Sequence, residues 1–267
     1  ASDGNAVDTT YDLTNLRSEV GGCSSSTHGY VMGGGGTNII DKFNMTTVAN
    51  ATDVGNLTVS RGRMSGTMSE TYGFPNGGGE PTAINVIERF PFASDSDATD
   101  WADLSVIKAN NSSHTSSTYG YTSGGTPGSP NSGINVIDKF PFATQTNATD
   151  VGNLTENSAY SPGGQQSETY GYMSGGRVGT PNVSRDVIEK FSFTSDGDAS
   201  DVGNLTWARI VKSDSSSSTH GYTAGGWSSV GTALTNVIDK HSFSTDGDST
   251  DVGDLSAANG YSSGHQI

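Results

Sequence analysis

Three short motifs recur five times along the chain in a fixed order, so the chain must be read as a row of similar units before any single residue is interpreted. The first motif is THGYVMGG (27–34), TYGFPNGG (71–78), TYGYTSGG (118–125), TYGYMSGG (169–176) and THGYTAGG (219–226). The second is NIIDKF (38–43), NVIERF (85–90), NVIDKF (135–140), DVIEKF (186–191) and NVIDKH (236–241). The third is ATDVGNLT (51–58), ATDWADLS (98–105), ATDVGNLT (148–155), ASDVGNLT (199–206) and STDVGDLS (249–256). The second aromatic of the first motif falls at positions 30, 74, 121, 172 and 222, giving spacings of 44, 47, 51 and 50 residues.

The first motif alternates large and small residues and then breaks on two glycines, which reads as a short strand entering a turn that needs positive φ. The second is too short for a stable helix. As a strand it places Val, Asp and Phe on one side and Ile and Lys on the other. The third reads as a shorter strand reached through a Ser/Thr/Asp-rich loop. The links that remain, such as VSRGRMSGTMSE (59–70) and WARIVKSDSSSS (207–218), have room for a fourth strand. Four strands in 44 to 51 residues is the size of a propeller blade, which must stack on its neighbours to bury both faces. The fold expected is all-β: a β-propeller of four-stranded antiparallel blades, five-bladed, or six- or seven-bladed if the units belong to a longer array. Other all-β stacks, a solenoid or a prism, remain open.

Approximate units are 17–58, 59–105, 106–155, 156–206 and 207–256. The opening SDGNAVDTTYDLTNL (2–16) looks like SDGDASDVGNL (195–205), and AANGYSSGHQI (257–267) looks like the first strand of a further unit. Residues 1–16 and 257–267 are therefore extra partial-unit strands or a clasp.

Composition supports a turn-rich β chain. Glycine supplies 37 of 267 residues, and the hydrophobic set reaches only 31%. The formal net charge of −15 argues against a phosphate-binding surface, so no nucleic-acid partner is expected. No apolar run approaches the roughly 20 residues of a membrane-spanning helix, so no membrane insertion is expected. Cys23 is the one cysteine, which rules out an intrachain disulfide and reads as a small buried residue.

Two glycines after an aromatic strand, followed by an acid-containing strand that ends in an aromatic, resemble the kelch repeat. The fourth-strand Trp of kelch units is matched only by Trp101. At finer grain, TYGYTSGG (118–125), NVIDKFPFAT (135–144) and TDVGNLT (149–155) resemble repeats in tail-fibre and structural proteins of tailed phages of marine cyanobacteria. That resemblance implies a virion-surface location, other virion proteins as partners, and a host-surface glycan where the protein serves in adhesion. The function expected is a non-enzymatic structural protein, tail- or fibre-associated or a capsid decoration. The alternatives are an independent carbohydrate-binding propeller and, more remotely, a polysaccharide hydrolase or lyase.

Candidate sites were weighed against the repeat. Asp95, Asp97 and Asp100, then Asp196, Asp198 and Asp201, then Asp246, Asp248 and Asp251 offer carboxylates at i, i+2 and i+5, a hard-oxygen set suited to calcium. The corresponding residues Gln145, Asn147 and Asp150, and Val48, Asn50 and Asp53, show that the loop is built without the first two acids. The expectation is no required cofactor, with calcium in some blades as the alternative. Asp53, Asp100, Asp150, Asp201 and Asp251 recur in every unit and read as turn residues that accept a backbone N–H two positions on. The doublets Gly33 and Gly34, Gly77 and Gly78, Gly124 and Gly125, Gly175 and Gly176, and Gly225 and Gly226 read as turns, because a cofactor loop would occur once. The adjacent acid and base of the second motif read as cross-strand or interblade pairs worth a few tenths of a kcal/mol if exposed. His28 and His220 stand where other units have Tyr, and His241 where they have Phe. His114 and His265 lie in connections, so no zinc site is indicated. No catalytic constellation stands out. Trp207 and Trp227, which no sister unit carries, are the candidate ligand-binding residues, as sugar-stacking platforms or intersubunit anchors.

Overall fold

The computed structural model describes residues 3–6, 12–47, 49–79, 81–128, 133–160, 163–178, 183–210, 212–228 and 233–260. His265 and Val48 lie outside them, as do residues 261–267 of the C-terminal partial unit. The chain is an all-β, five-bladed propeller of four-stranded antiparallel sheets. Blade one comprises β1 (Gly21–Ser24), β2 (His28–Met32), β3 (Ile39–Asn44) and β4 (Thr52–Asn56). Blade two comprises β5 (Ser65–Met68), β6 (Tyr72–Asn76), β7 (Val86–Pro91) and β8 (Thr99–Asp103). Blade three comprises β9 (Ser112–Thr115), β10 (Tyr119–Ser123), β11 (Ile134–Pro141) and β12 (Thr149–Ser158). Blade four holds β13 (Gly163–Gln166), β14 (Tyr170–Ser174), β17 (Val187–Ser192) and β18 (Ser200–Asn204), with a ribbon of β15 (Arg177–Val178) and β16 (Val183–Ser184). Blade five holds β19 (Ser213–Ser216), β20 (His220–Ala224), β23 (Val237–Ser242) and β24 (Thr250–Asp254), with a ribbon of β21 (Trp227–Ser228) and β22 (Ala233–Leu234).

The strand in each link is the innermost strand of the next blade: β1, β5, β9, β13 and β19 pack in succession around the axis. Because the strands alternate in direction, the Gly-Gly loops and the links between blades share one face, and the Asp-rich loops lie on the other.

The large–small alternation of the first motif has a direct cause. Gly29, Gly73, Gly120 and Gly171 pair across the ladder with Phe43, Phe90, Phe140 and Phe191, and Gly221 pairs with His241. A Cβ on Gly29 would sit 2.3 Å from the Phe43 ring, so the glycine leaves room for the aromatic to lie flat on the sheet. That ring then meets the preceding blade. Tyr30 stacks on Phe92 at 4.8 Å and tilts against Phe90 at 5.3 Å. Phe74 repeats this with Phe140 and Phe142, Tyr121 with Phe191 and Phe193, and Tyr172 with His241 and Phe243. Four apolar clusters result, one between each pair of consecutive blades.

The second motif is covered on both faces. Its Ile and Lys turn toward the following blade, and its acid and Phe toward the preceding one. The acid is fully buried rather than exposed, which corrects the expectation of weak surface pairs. Asp41 meets Arg17 at 2.9 Å, Glu88 meets Arg61 at 2.5 Å, Asp138 meets Lys108 at 2.7 Å and Asp239 meets Arg209 at 2.5 Å. Arg17 comes from the segment ahead of β1, and Arg61, Lys108 and Arg209 come from the link that leaves the preceding blade. Where that link has Ser158 instead, Arg185 reaches Glu189 at 3.6 Å. The same carboxylates accept the backbone N–H and hydroxyl of Thr14, Thr58, Thr155 and Thr206. Burial pushes Arg61, Lys108 and Arg209 down from their ordinary pKa, and the facing acids oppose it. Breaking such a pair by removing one partner costs about 3–5 kcal/mol.

Candidate functional site

On the Asp-rich face the candidate calcium ligands Asp95, Asp97, Asp196, Asp198, Asp201, Asp246, Asp248 and Asp251 are engaged within the scaffold. Asp95, Asp196 and Asp246 pair with Lys42, Lys139 and Lys190 of the preceding blade at 2.6–2.8 Å. Asp97, Asp198 and Asp248 accept the backbone N–H of Asn56, Asn153 and Asn204. Asn147 serves Asp103 in the same way, so an amide oxygen does this work as well as a carboxylate. Asp53, Asp150, Asp201 and Asp251 accept the N–H of Gly55, Gly152, Gly203 and Gly253 at 3.1–3.2 Å. Among the described residues no group of three or more His, Cys, Asp or Glu side chains is placed to hold a metal.

Trp101 belongs to this system. Unit three has Gln145 where units two, four and five have Asp95, Asp196 and Asp246, so the base of the blade before it has no carboxylate to meet there. That base is Arg89 rather than Lys, and its guanidinium lies 3.8 Å from the Trp101 ring and 4.4 Å from Tyr72. An aromatic contact takes the place of an ion pair.

The opposite face differs. The doublet glycines all adopt positive φ, and a Cβ on Gly77 would lie 2.5 Å from the Lys108 carbonyl, so the turn and the incoming link require glycine there. Just before the innermost strands of blades one to four stands a residue whose backbone is also left-handed but which is not glycine: Glu19 (φ 60°), Arg63 (58°), Asn110 (55°) and Tyr160 (61°). These occupy one equivalent position in blades one to four. Arg63 N–H donates to the Glu19 carbonyl and Asn110 N–H to the Arg63 carbonyl, both at 2.7 Å, so these three positions are joined in turn beside the innermost strands. A non-glycine residue in this conformation costs of order 1 kcal/mol, and such positions concentrate where a side chain has work to do.

Arg63, Asn110 and Tyr160 line a cavity of about 160 Å³ with Pro81, Ala83 and Thr126. The Arg63 Nε bonds Glu19 at 2.9 Å, and the Arg177 guanidinium lies 3.8 Å from the centroid of the Tyr160 ring. Thr126 and Arg177 are the residues whose backbones bridge to Ala109 and Ala159, next to Asn110 and Tyr160. The volume is close to the roughly 150 Å³ that holds a single benzene ring, and below the roughly 300–1,000 Å³ of a drug-sized pocket.

Trp227 lies on the same rim, bridged to Ile210 in blade five as Thr126 is to Ala109 in blade three, and Trp207 lies half-buried in the preceding link. Neither lines the cavity between blades two and three. The rim residues were missed from the sequence. The available signal was a position that changes from Glu to Arg to Asn to Tyr at nearly the same place ahead of the first-motif strand in successive units.

No family model matches the sequence, and no curated protein matches it. Among solved structures the chain is similar to YjhT, with a TM-score of 0.82 at 12% identity, over 97% of this chain and 90% of that one. At this identity the likeness establishes the propeller fold. It also corrects the resemblance drawn from the motifs: the structural likeness runs to YjhT and not to a kelch or phage tail-fibre protein. The reading as a non-enzymatic virion protein, tail fibre or capsid decoration falls with it, and so does the exclusion of enzymatic activity. The near-verbatim recurrence of motifs is explained by interblade packing, which any propeller of this repeat would require.

Proposed function

We propose that this is a carbohydrate-active propeller that takes one sugar ring at the axial rim between blades two and three. The observation that carries the reading is the convergence of Tyr160, Asn110 and Arg63 on a one-ring cavity from equivalent left-handed positions. An aromatic face covers the C–H face of a sugar, an amide offers donor and acceptor to a hydroxyl pair, and a guanidinium supplies a fork of donors. Glu19 and Tyr160 are the groups beside the cavity able to exchange a proton with the bound ring, so turnover is assayed together with binding. Saturation-transfer NMR against a monosaccharide panel tests the reading. One sugar should bind the wild-type chain, and its signal should vanish in Tyr160→Ala but persist in Trp207→Ala and Trp227→Ala. Absence of any sugar binding at millimolar concentration overturns the proposal, and binding lost only in Trp227→Ala moves the site to blade five.

A further inference from the structure

Of the five buried acids of the second motif, Asp138 is held least. Asp41, Glu88, Glu189 and Asp239 each accept hydrogen bonds from the backbone N–H and hydroxyl of a threonine. Asp41, Glu88 and Asp239 also accept from an arginine. Asp138 has neither kind of donor. Ser105 stands where the threonines are, and both Asp138 oxygens are buried without a hydrogen-bond partner among the described residues. Its cation is Lys108 where those three sister pairs have arginine, and the Lys108 Nζ lacks a hydrogen-bond partner in the same way.

The two groups nevertheless touch. Lys108 Nζ lies 2.7 Å from Asp138 Oδ2 with both side chains fully buried, and the contact is off the line of a hydrogen bond. Thr122 faces Asp138 directly across the β10–β11 ladder, and its Oγ1 is likewise buried and unpartnered among the described residues. A second buried lysine shows the ordinary arrangement: Lys212 faces Asp214 at 3.7 Å, but that carboxylate accepts from Gln165, Ser174 and Thr223. On the Asp-rich face Lys42, Lys139, Lys190 and Lys240 pair with carboxylates that are about half exposed, where water competes.

A charged pair buried this deep and left short of hydrogen bonds is costly, and the cost disappears with the charges. Burial pulls the Lys108 pKa down, with the charges of Asp138 and Asp150 opposing, so proton transfer across the contact gives a neutral amine beside a carboxylic acid. A small rotation then brings Nζ over Cγ at the roughly 3–3.5 Å of a near-attack approach.

We propose that Lys108 and Asp138 condense to an intramolecular amide, a covalent staple between the link leaving blade two and the third strand of blade three. One ammonium proton passes to an Asp138 oxygen, and the lone pair left on Nζ attacks Cγ while the C=O pair moves onto oxygen. Thr122 Oγ1 is the neighbouring hydroxyl able to donate to that charge. A second proton passes from nitrogen to the hydroxyl, the C–O bond breaks with its electrons on that oxygen, and water leaves as the C=O re-forms. Nothing is oxidised or reduced. Contact within the fold supplies the concentration that a bimolecular condensation lacks, and a dry site disfavours the reverse hydrolysis. The sister arginines cannot take this step, because a guanidinium stays protonated. The staple adjoins Ala109 and Asn110 in the wall of the rim cavity, yet it does not depend on sugar binding there.

The test is the mass of the purified, denatured full chain, followed by a tryptic peptide map. The expected result is a chain lighter than its sequence by one water, with Lys108 uncleaved and residues 90–139 recovered as one looped peptide that carries the whole deficit. A chymotryptic cut at Tyr119 or Tyr121 should open the loop without separating its halves. Lys108→Arg, which installs the cation of the sister blades, should restore the full mass and cleavage after position 108. A wild-type chain of full mass, cut normally after Lys108, overturns the proposal whether or not the variant folds. A missing water that maps instead to Asp196–Gly197 or Asp246–Gly247, where an aspartyl–glycyl bond can cyclise to a succinimide, also overturns it.

Discussion

The two faces of the propeller divide the labour of the sequence. On the Asp-rich face the loops carry much the same residues, and their polar groups are spent on the scaffold: Lys on the Asp of the next blade, the Asn or Asp backbone N–H on the Asp or Asn of the next blade, and the recurring Asp on the glycine two residues on. On the Gly-Gly face the framework of turns is as regular, yet the residues it presents at the axis are Glu19, Arg63, Asn110 and Tyr160, four different side chains in one strained conformation. Repetition therefore marks what holds the blades together, and departure from repetition marks what the ring can offer a ligand.

The comparison breaks most visibly if a buried interblade pair is removed. Arg209 is fully buried and bonds the carbonyls of Gly225, Val237 and Thr223 as well as Asp239. Arg209→Ala should cost about 3–5 kcal/mol, a fall in melting temperature on the order of 10 °C, without reference to any ligand. A fall of a degree or two would mean that these pairs do not hold the ring.

Next in size is a pH effect. Burial pushes the His241 imidazole down to about 4 from its ordinary 6.5, with His220 adding repulsion. The unfolded chain then binds the proton more readily, so stability is complete above pH 6.5 and is lost as pH falls toward 4. Four sister units place Phe here, and the His241 Nε2 is buried with no partner. His241→Phe should flatten the acid limb by on the order of 3 kcal/mol, measured by urea unfolding at pH 7 and pH 4.5. An unchanged limb would place the titration elsewhere, for instance at His114, which burial also brings down to about 4.

The Asp-rich face should respond least. Lys42 and Asp95 are exposed by 22% and 57%, so Lys42→Ala should change stability by less than about 1 kcal/mol. Millimolar calcium against chelator should leave the melting temperature unchanged, because the carboxylates are already engaged by lysines and backbone N–H groups. A calcium-dependent rise would turn those pairs into ligands.

Much of the architecture was readable from residues alone. The blade interval, the strand in each motif and the sidedness of N-V-I-D-K-F follow from a period of two and from glycine placement. The depth at which the acids lie was not readable, since for four of the five the facing cation comes from about 24 to 30 residues earlier in the chain, as with Arg17 and Asp41 or Lys108 and Asp138. Trp101 stood out as the one match to the fourth-strand tryptophan of kelch units, and its contact with Arg89 is explained by Gln145, which leaves that base without an acid. The rim residues were hidden for a different reason. A left-handed non-glycine position has no local sequence signature, and Arg63, Asn110 and Tyr160 converge only through the curvature of the ring. Trp207 and Trp227 stood out because no sister unit carries them, although that alone does not say what a side chain lines.

The most direct measurement separates holding from offering at the rim itself. Glycine suits a φ of 55–61° better than arginine, asparagine or tyrosine does, so Arg63→Gly, Asn110→Gly and Tyr160→Gly should leave thermal stability unchanged or raise it by up to about 1 kcal/mol each. The same three chains should lose sugar binding. Stability that falls while sugar binding survives would contradict the account, because it would make these residues part of the scaffold and leave the rim without a ligand site.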